Sequence, residues 1–268
     1  MNRIAMKATK PLISATFSQI LDEPDLMIAK SAVESDLKLL EGILVHRPKD
    51  RELLELAALG YTAYAMAFAE DDDPVRASEL YQRGRMYAKR GLCTYGVTDS
   101  LFILPPEQLE RKLAKLPSSA NGLIVWGGLA WGLQIIQSLD NPELIADLPR
   151  VTTMVNLIRE RDSTYFYGIT LLFFGVLDGF RPKMMGGNPE VSEQTFDRCR
   201  SITNGRFLLE RVYRARYLYV PTMNEERFRS ELQAVIDAPI DCLPNNRLLT
   251  AIAKAKAKRY LAQASDWF

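Results

Sequence analysis

Imidazole and thiol side chains are scarce in this chain of 268 residues. It has one histidine, His46, and three cysteines, Cys93, Cys199 and Cys242, which stand far apart. Reactions that need several imidazoles are therefore excluded, and no Cys-x-x-Cys or His–Cys spacing is present to build a zinc site. The sequence predicts no metal centre and no cofactor, and the cysteines are expected to act as small apolar side chains.

An excess of charge of either sign is also missing. Lys and Arg number 34 against 33 Asp and Glu, which leaves a net charge of +1. A balanced chain has no long-range field to gather nucleic acid or an anionic membrane, so neither is predicted as a direct partner. Apolar residues make up 47% of the chain, which suits a globular protein and excludes the disordered classes.

Long apolar runs are few. Residues 122–139 carry no charge and would form about 27 Å of helix, which borders on the roughly 20 residues of a bilayer span. Four glycines and three polar residues lower its hydrophobicity. We therefore expect this run, and the run 163–177, to form helices buried in protein. Residues 1–21 begin with a basic and apolar stretch, but no cleavage site follows, so they do not read as a signal peptide.

Apolar residues recur with a helical period almost everywhere. Val33, Leu37, Leu40 and Leu44 form one stripe of a helix, and no segment of useful length alternates with period two between turn signals. The predicted fold is all-α. The predicted helices span residues 26–45, 51–69, 74–91, 107–116, 121–139, 142–161, 162–179, 189–203, 206–220, 224–237 and 245–264.

Several residues predict where helices begin and end. N-cap side chains followed by proline are expected at Asp73, Asn141 and Asn188. Asn204–Gly205 and Gly91 suit the turning positions at helix ends. Pro149 is expected to kink or split the helix predicted over 142–161.

The predicted helices form antiparallel pairs, and several pairs begin about 40 residues apart, as in an α-solenoid. Ala77, Tyr81 and Gly84 fit the small-large-small spacing of a tetratricopeptide helix B, as do Ser192, Phe196 and Cys199. Leu56, Leu59, Gly60 and Ala63 fit helix A of the first pair, and Gly168 takes the small helix-A position of the third. The repeats are degenerate, and from this pattern alone a helical bundle fits nearly as well.

A series of short motifs gives a more specific signal. In chain order they are residues 79–92 (ELYQRGRMYAKRGL), Trp126 to Gly132, Asp147 to Val151, Tyr165-x-Tyr167-Gly168, Arg181-Pro182-x-x-x-Gly186-Gly187, Ser201 to Gly205 and Tyr213 to Tyr217. In this order the motifs resemble the T-component family of TRAP transporters, the tripartite ATP-independent periplasmic transporters. The similarity extends from about Asp22 to Phe268.

This resemblance implies a non-enzymatic accessory subunit built from cryptic tetratricopeptide-like repeats. It implies docking of the periplasmic solute-binding protein, a hydrophobic or organic-acid ligand, and a homo-oligomer, expected to be a trimer. It also implies a periplasmic lipoprotein, attached to the membrane only through a lipid anchor on a cysteine that would follow a signal peptide upstream of this chain. We expect an N-terminal extension over residues 1–25 and a single domain over 26–268.

Candidate binding residues come from two patterns. Arg181, Met184 and Met185 lie in a predicted interhelical loop, where a guanidinium and flexible thioethers suit recognition of a partner or ligand. The aromatic candidates for a ligand site are Trp126, Trp131, Tyr165 and Tyr167. No catalytic residue is predicted. The alternatives are a general cytoplasmic helical-repeat scaffold and, less favoured, an all-α enzyme acting on an isoprenoid or lipid.

Overall fold

The computed structural model describes residues 15–138 and 140–268, and these residues form helices and turns without a strand. Residues 1–14, which make up much of the predicted N-terminal extension, and Leu139 lie outside the described residues. The helices are α1 Leu26–His46, α2 Arg51–Phe68, α3 Pro74–Cys93, α4 Pro106–Leu113, α5 Asn121–Ile136, α6 Pro142–Ile145, α7 Leu148–Arg161, α8 Tyr165–Phe180, α9 Pro189–Ile202, α10 Leu209–Arg214, α11 Glu225–Asp237, α12 Arg247–Ala262 and α13 Ala264–Trp267. The all-α prediction is confirmed. Residues 15–21 are also helical, and a π-helical turn, Ala215–Tyr219, continues α10.

The predicted helix starts are confirmed by their cap hydrogen bonds. The side chain of Asp73 accepts from the backbone N–H of Arg76 at 3.0 Å, and those of Asn141 and Asn188 each accept two N–H groups of the following turn. Pro149 lies in the first turn of α7, where its missing N–H leaves no bond unmade. The helix predicted over 142–161 is split into α6 and α7, as expected.

The predicted helix ends are partly wrong. Asn204 and Gly205 take positive φ angles of 53° and 77°, as expected of a turn after α9. Gly91 does not end its helix, because α3 continues to Cys93. A Cβ at Gly91 would lie 2.4 Å from Cδ2 of Leu123, so this glycine permits a close helix contact instead of a turn.

The described chain divides into two compact units. Of the described residues, those between 33 and 165 form the central unit, and residues 15–32 and 166–268 form the terminal unit. One boundary falls within α1 and the other at the start of α8. The expectation of a single domain over 26–268 stays a prediction.

The core of the central unit is a close contact between α2 and α3. Ala77 and Tyr81 are fully buried, and a Cβ at Gly84 would lie 2.6 Å from Oγ1 of Thr62 and 3.1 Å from the carbonyl oxygen of Ala58. The small-large-small positions of α3 therefore do face a neighbouring helix. On α2, Ala58 and Thr62 make this contact, whereas the predicted helix-A positions 56, 59 and 63 are only half-buried.

One carboxylate connects three helices of the central unit. Glu41 of α1 accepts hydrogen bonds from the hydroxyls of Tyr61 on α2 at 2.6 Å and Tyr87 on α3 at 2.9 Å. The two tyrosine rings stack with centroids 5.7 Å apart. Burial by itself would raise the pKa of Glu41, but hydrogen bonds from Lys38 and the two tyrosines outweigh it and lower the pKa to about 2.

In the terminal unit, α8 and α9 pack through a glycine and an aromatic ring. Phe196 of α9 is fully buried, and a Cβ at Gly175 of α8 would lie 3.0 Å from its ring. The hydroxyl of Ser192 donates to the carbonyl oxygen of Gly175 at 2.7 Å. The predicted burial of Ser192, Phe196 and Cys199 between paired helices is confirmed for this pair.

Buried charges of the terminal unit are paired. Glu210 accepts from Nε of Arg200 at 2.9 Å, and the buried Arg214 donates to Asp197 at 2.8 Å and to Glu193. Burial raises the pKa of Glu210, while the hydrogen bond from Arg200 acts in the opposite direction. These ion pairs satisfy charges that would otherwise be costly to bury.

Phe196→Ala should lower the free energy of unfolding by about 3–5 kcal/mol, because it leaves a cavity against Gly175. The measurement is urea denaturation followed by far-UV circular dichroism. The matched control is Val191→Ala on the same helix, where an exposed side chain should change stability by under about 0.5 kcal/mol. Equal midpoints for Phe196→Ala and wild type would show that α8 and α9 do not pack in this way.

Glu41→Gln should destabilise the protein by about 1.5–3 kcal/mol at neutral pH, since it removes a charged acceptor of several hydrogen bonds. The pKa of Glu41 is depressed in the folded state, so its stabilising effect is fully present above the ordinary value near 4.5 and is lost as the pH falls towards 2. The difference between variant and wild type in urea unfolding should therefore shrink over that range. A constant difference, matching the pH response of the exposed-site control Glu79→Gln, would contradict the role of Glu41.

Candidate functional site

The predicted site residues fall into different parts of the fold. Those of the central unit are Trp126, Trp131 and Tyr165, and those of the terminal unit are Tyr167, Arg181, Met184 and Met185. They therefore do not form one cluster within either compact unit. Each group has its own local geometry.

Trp126 and Tyr165 meet beside a half-buried carboxylate, that of Glu55, which sequence reasoning missed. A Cβ at Gly122 would lie only 1.9 Å from Oε1 of Glu55, so the carboxylate occupies the space that a side chain at 122 would fill. Burial, and the nearby charge of Glu52, raise the pKa of Glu55. Burial and then the charge of Glu55 raise the pKa of Tyr165 to about 12, while a hydrogen bond with Trp126 acts in the opposite direction. The glycine at 122 is the sequence signal that could have indicated this close approach.

Trp131 lies beneath a guanidinium. It is fully buried on α5, and Cζ of Arg85 on α3 lies 3.6 Å from the centroid of its ring. Phe102 packs against the same indole with a centroid distance of 6.2 Å. The Nε1 atom of Trp131 is buried and has no hydrogen-bond acceptor among the described residues.

Arg85 has no acidic partner at ion-pair distance in the described part of the chain, and no described oxygen accepts a hydrogen bond from it. Burial lowers the pKa of this half-buried arginine to about 10, although the more distant charge of Asp147 opposes the shift. Asp147 itself accepts a hydrogen bond from Nη1 of Arg150 at 2.6 Å. Arg85 thus carries a positive charge without a neighbouring acceptor, which sequence reasoning did not identify.

The loop between α8 and α9 is closed by its own hydrogen bonds. Nε of Arg181 donates to the carbonyl oxygen of Leu177 at 2.8 Å, and its Nη2 donates to Oδ1 of Asp178 at 3.0 Å. A Cβ at Gly187 would lie 1.8 Å from the carbonyl oxygen of Arg181, so only glycine fits there. The sequence predicts that the guanidinium of Arg181 recognises a partner or ligand. In the structure its hydrogen bonds instead hold its own loop against the end of α8.

The two methionines of this loop point outward. Met184 is 92% exposed and Met185 is 60% exposed, in a short 3₁₀ turn that is followed by Gly186 at a φ of 84°. The two thioethers together form a small exposed apolar surface on this loop.

Tyr167 belongs to a left-handed turn at the start of α8. Phe166, Tyr167 and Gly168 have positive φ angles of 44°, 60° and 81°, so the right-handed helix predicted from residue 162 begins only after them. The ring of Tyr167 stacks on Phe207 at 5.4 Å, and the amide of Asn246 donates to its hydroxyl at 3.4 Å. Positive φ is costly for aromatic residues, and these contacts help to hold the turn.

The two apolar runs of the sequence form helices within protein. Almost every residue of α5 is buried, as predicted, and α8 is buried along most of its length. Across residues 15–138 and 140–268, no helix has the length and apolar character to cross a bilayer. The same residues contain no group of three or more His, Cys, Asp or Glu side chains arranged to hold a metal ion.

Comparison with known proteins identifies the family. The chain is an all-α protein whose residues 22–268 match the family model of the TRAP transporter T-component. It therefore belongs to the TRAP transporter T-component family, as its motifs indicated. An uncharacterized protein of Treponema pallidum (strain Nichols) is 22% identical to it over 278 aligned residues, which cover 96% of this chain and 85% of that protein. Membership makes the chain an accessory component of a TRAP transporter system, points to a periplasmic location, and places it in a family not known for enzymes.

Gly122→Ala should destabilise the protein because the new methyl group would displace the carboxylate of Glu55. The matched control is Gly42→Ala in α1, where a Cβ meets nothing within 4 Å and the change should stabilise by about 0.5–1 kcal/mol. The double variant Glu55→Ala/Gly122→Ala should recover much of the loss. Urea unfolding of the wild type, Glu55→Ala, Gly122→Ala and the double variant measures the coupling, and strictly additive effects would show that residues 55 and 122 are not in contact.

Proposed function

We propose that this chain docks the solute-binding protein of its TRAP transporter and binds a hydrophobic or organic-acid ligand. The observation that carries the docking part is the exposure of Met184 and Met185 on a loop that is already closed. Thioether side chains adapt to apolar surfaces of varied shape. Because the loop backbone is held by its own hydrogen bonds, little conformational entropy would be lost when a partner binds.

Arg181 supports docking as a positioning residue. Its hydrogen bonds to Leu177 and Asp178 fix the end of α8, and Gly187 lies against its carbonyl oxygen. A direct contact of Arg181 with a partner carboxylate would require these bonds to be exchanged. The methionines need no such rearrangement, so they are the stronger candidates for direct contact.

The ligand part of the proposal involves the aromatic residues. Trp126 and Tyr165 lie beside the half-buried Glu55, and Trp131 has a buried indole N–H without an acceptor in the described part of the chain. Tyr167 belongs to the other unit, where Phe207 and Asn246 hold it. The central-unit aromatics combine apolar rings with one buried indole N–H, that of Trp131, which has no acceptor among the described residues. Mostly apolar linings with a few polar groups are usual in ligand sites.

The remaining parts of the proposal concern architecture and location. We propose tetratricopeptide-like stacking of the helix pairs, assembly into a homotrimer, and attachment to the periplasmic face through a lipid anchor. The buried small-large-small positions of α3 and α9 support the repeat-like pairing. The rival is a general helical-repeat scaffold, which would bind no solute-binding protein.

The docking test is calorimetric titration of the purified solute-binding protein of the same transporter into Met184→Ala/Met185→Ala. We expect at least a tenfold weaker Kd, because truncation of contact side chains costs more than about 1 kcal/mol at binding hot spots. The matched control is Met27→Ala, which removes a methionine side chain that is 77% exposed elsewhere in the terminal unit. Circular dichroism should be unchanged in both variants.

Equal affinities for the loop variant and the wild type would exclude the loop as the docking surface. If wild-type protein also failed to bind, the docking function itself would be wrong and the general scaffold would be favoured.

A further inference from the structure

We infer that Arg85 and Trp131 form a subsite for the carboxylate group of an organic acid in the central unit. This inference deepens the ligand part of the proposed function. It rests on two adjacent groups, a guanidinium and an indole N–H, which lack acceptors among the described residues.

Both groups are hydrogen-bond donors, so the missing ligand group must be an acceptor. An arginine has five N–H donors and no acceptor, and the indole has a single N–H donor. Burying such donors unsatisfied is unfavourable, and burying a cation without a counter-charge is more so. An anionic acceptor would satisfy the N–H donors and also balance the charge of Arg85, whereas a neutral acceptor would only satisfy the donors.

The neighbouring charges indicate a single carboxylate. Lys89, one turn along α3 from Arg85, lies 3.6 Å from a carboxylate oxygen of Asp99, and Arg150 lies 2.6 Å from Asp147. These cations are therefore already neutralised. Of the three cations, Arg85 alone has no carboxylate at ion-pair distance among the described residues, which suits one negative charge on the ligand.

The geometry favours a carboxylate over a phosphate. Cζ of Arg85 lies 3.6 Å from the centroid of the Trp131 ring, so the indole covers the guanidinium on one side, while the N–H groups of the guanidinium have no acceptor among the described residues. A planar guanidinium edge matches the two oxygens of a carboxylate. A phosphate would bring more acceptors and close to two negative charges, which one cation and one indole N–H cannot satisfy.

The position of Arg85 suits a small molecule. Arg85 is only half-buried, whereas Trp131 is completely buried, so a ligand group would meet the guanidinium first and the indole N–H deeper in the unit. A small organic acid is short enough to contact both donors. The methionines proposed for docking lie in the terminal unit, whereas Arg85 and Trp131 lie in the central unit. Ligand binding and docking can therefore be tested separately, with different variants.

The experiment follows the indole N–H of Trp131 in ¹H–¹⁵N NMR spectra of the whole chain, with the resonance assigned from Trp131→Phe. Hexanoate and benzoate are the probes, hexanamide and benzamide are their uncharged counterparts, and inorganic phosphate is the competing anion. We expect saturable shifts of this resonance with the carboxylates, and at least tenfold weaker binding of the amides and of phosphate.

Arg85→Met should weaken carboxylate binding at least tenfold while leaving thermal stability equal or higher, because it removes a charge without a partner. The matched control is Arg90→Met on the same helix, where the guanidinium lies over Tyr87 at 5.2 Å. It should bind the carboxylates like wild type. Arg85→Gln provides a second variant that also removes the charge, in case Arg85→Met does not fold.

The inference is overturned if neither carboxylate shifts the Trp131 resonance in wild-type protein, if phosphate binds as tightly as they do, or if both Arg85 variants bind with wild-type affinity. A chain that binds its solute-binding protein but no carboxylate would refute this subsite and leave the docking function intact. Carboxylate binding without docking would support the subsite and refute docking.

Discussion

The contact of α3 with its neighbours through glycine is the constraint on which the central unit depends. Gly84 lies against Ala58 and Thr62 of α2, and its Cβ position is 3.5 Å from the methyl group of Ala130 on α5. Arg85 and Trp131 follow Gly84 and Ala130 directly in the sequence. The same close contact that packs the helices therefore sets the register that brings the guanidinium over the indole. A larger residue at 84 would disturb both.

Charged side chains that are partly or fully buried differ in whether the fold provides them with a partner. Glu41 accepts hydrogen bonds from three helices, and Glu210 and Arg214 lie within a network of opposite charges. Arg85 has no such partner among the described residues. The fold gives Glu41, Glu210 and Arg214 hydrogen-bonding partners of its own. A ligand group that accepts hydrogen bonds would therefore add most stabilisation at Arg85, which has none in the described part of the chain.

Features determined by near neighbours in the chain could be predicted from the sequence, whereas those determined by distant contacts could not. The caps at Asp73 and Asn188 depend on bonds two or three residues away, and the burial of Phe196 follows from helical period. The role of Gly91 depends on Leu123, and that of Gly122 depends on Glu55. No local pattern specifies these pairings, because they require the register of two helices. The motifs quoted for the family were specific enough to identify it.

The two arginines show why a binding site cannot be assigned from residue type alone. Arg181 lies beside exposed methionines in a loop, which favours a role in recognition. Its N–H groups, however, donate to Leu177 and Asp178 in the last turn of α8. Arg85 stands in an ordinary helical segment, yet its donors have no acceptor among the described residues. What separates them is hydrogen-bond satisfaction, which only the fold determines. Exposed thioethers need a large apolar surface to cover them, whereas a buried N–H needs a small polar group that can enter. In the proposed function, the solute-binding protein would cover the methionines and the organic-acid ligand would bind the buried N–H. Because different residues make these contacts, docking and ligand binding need not compete.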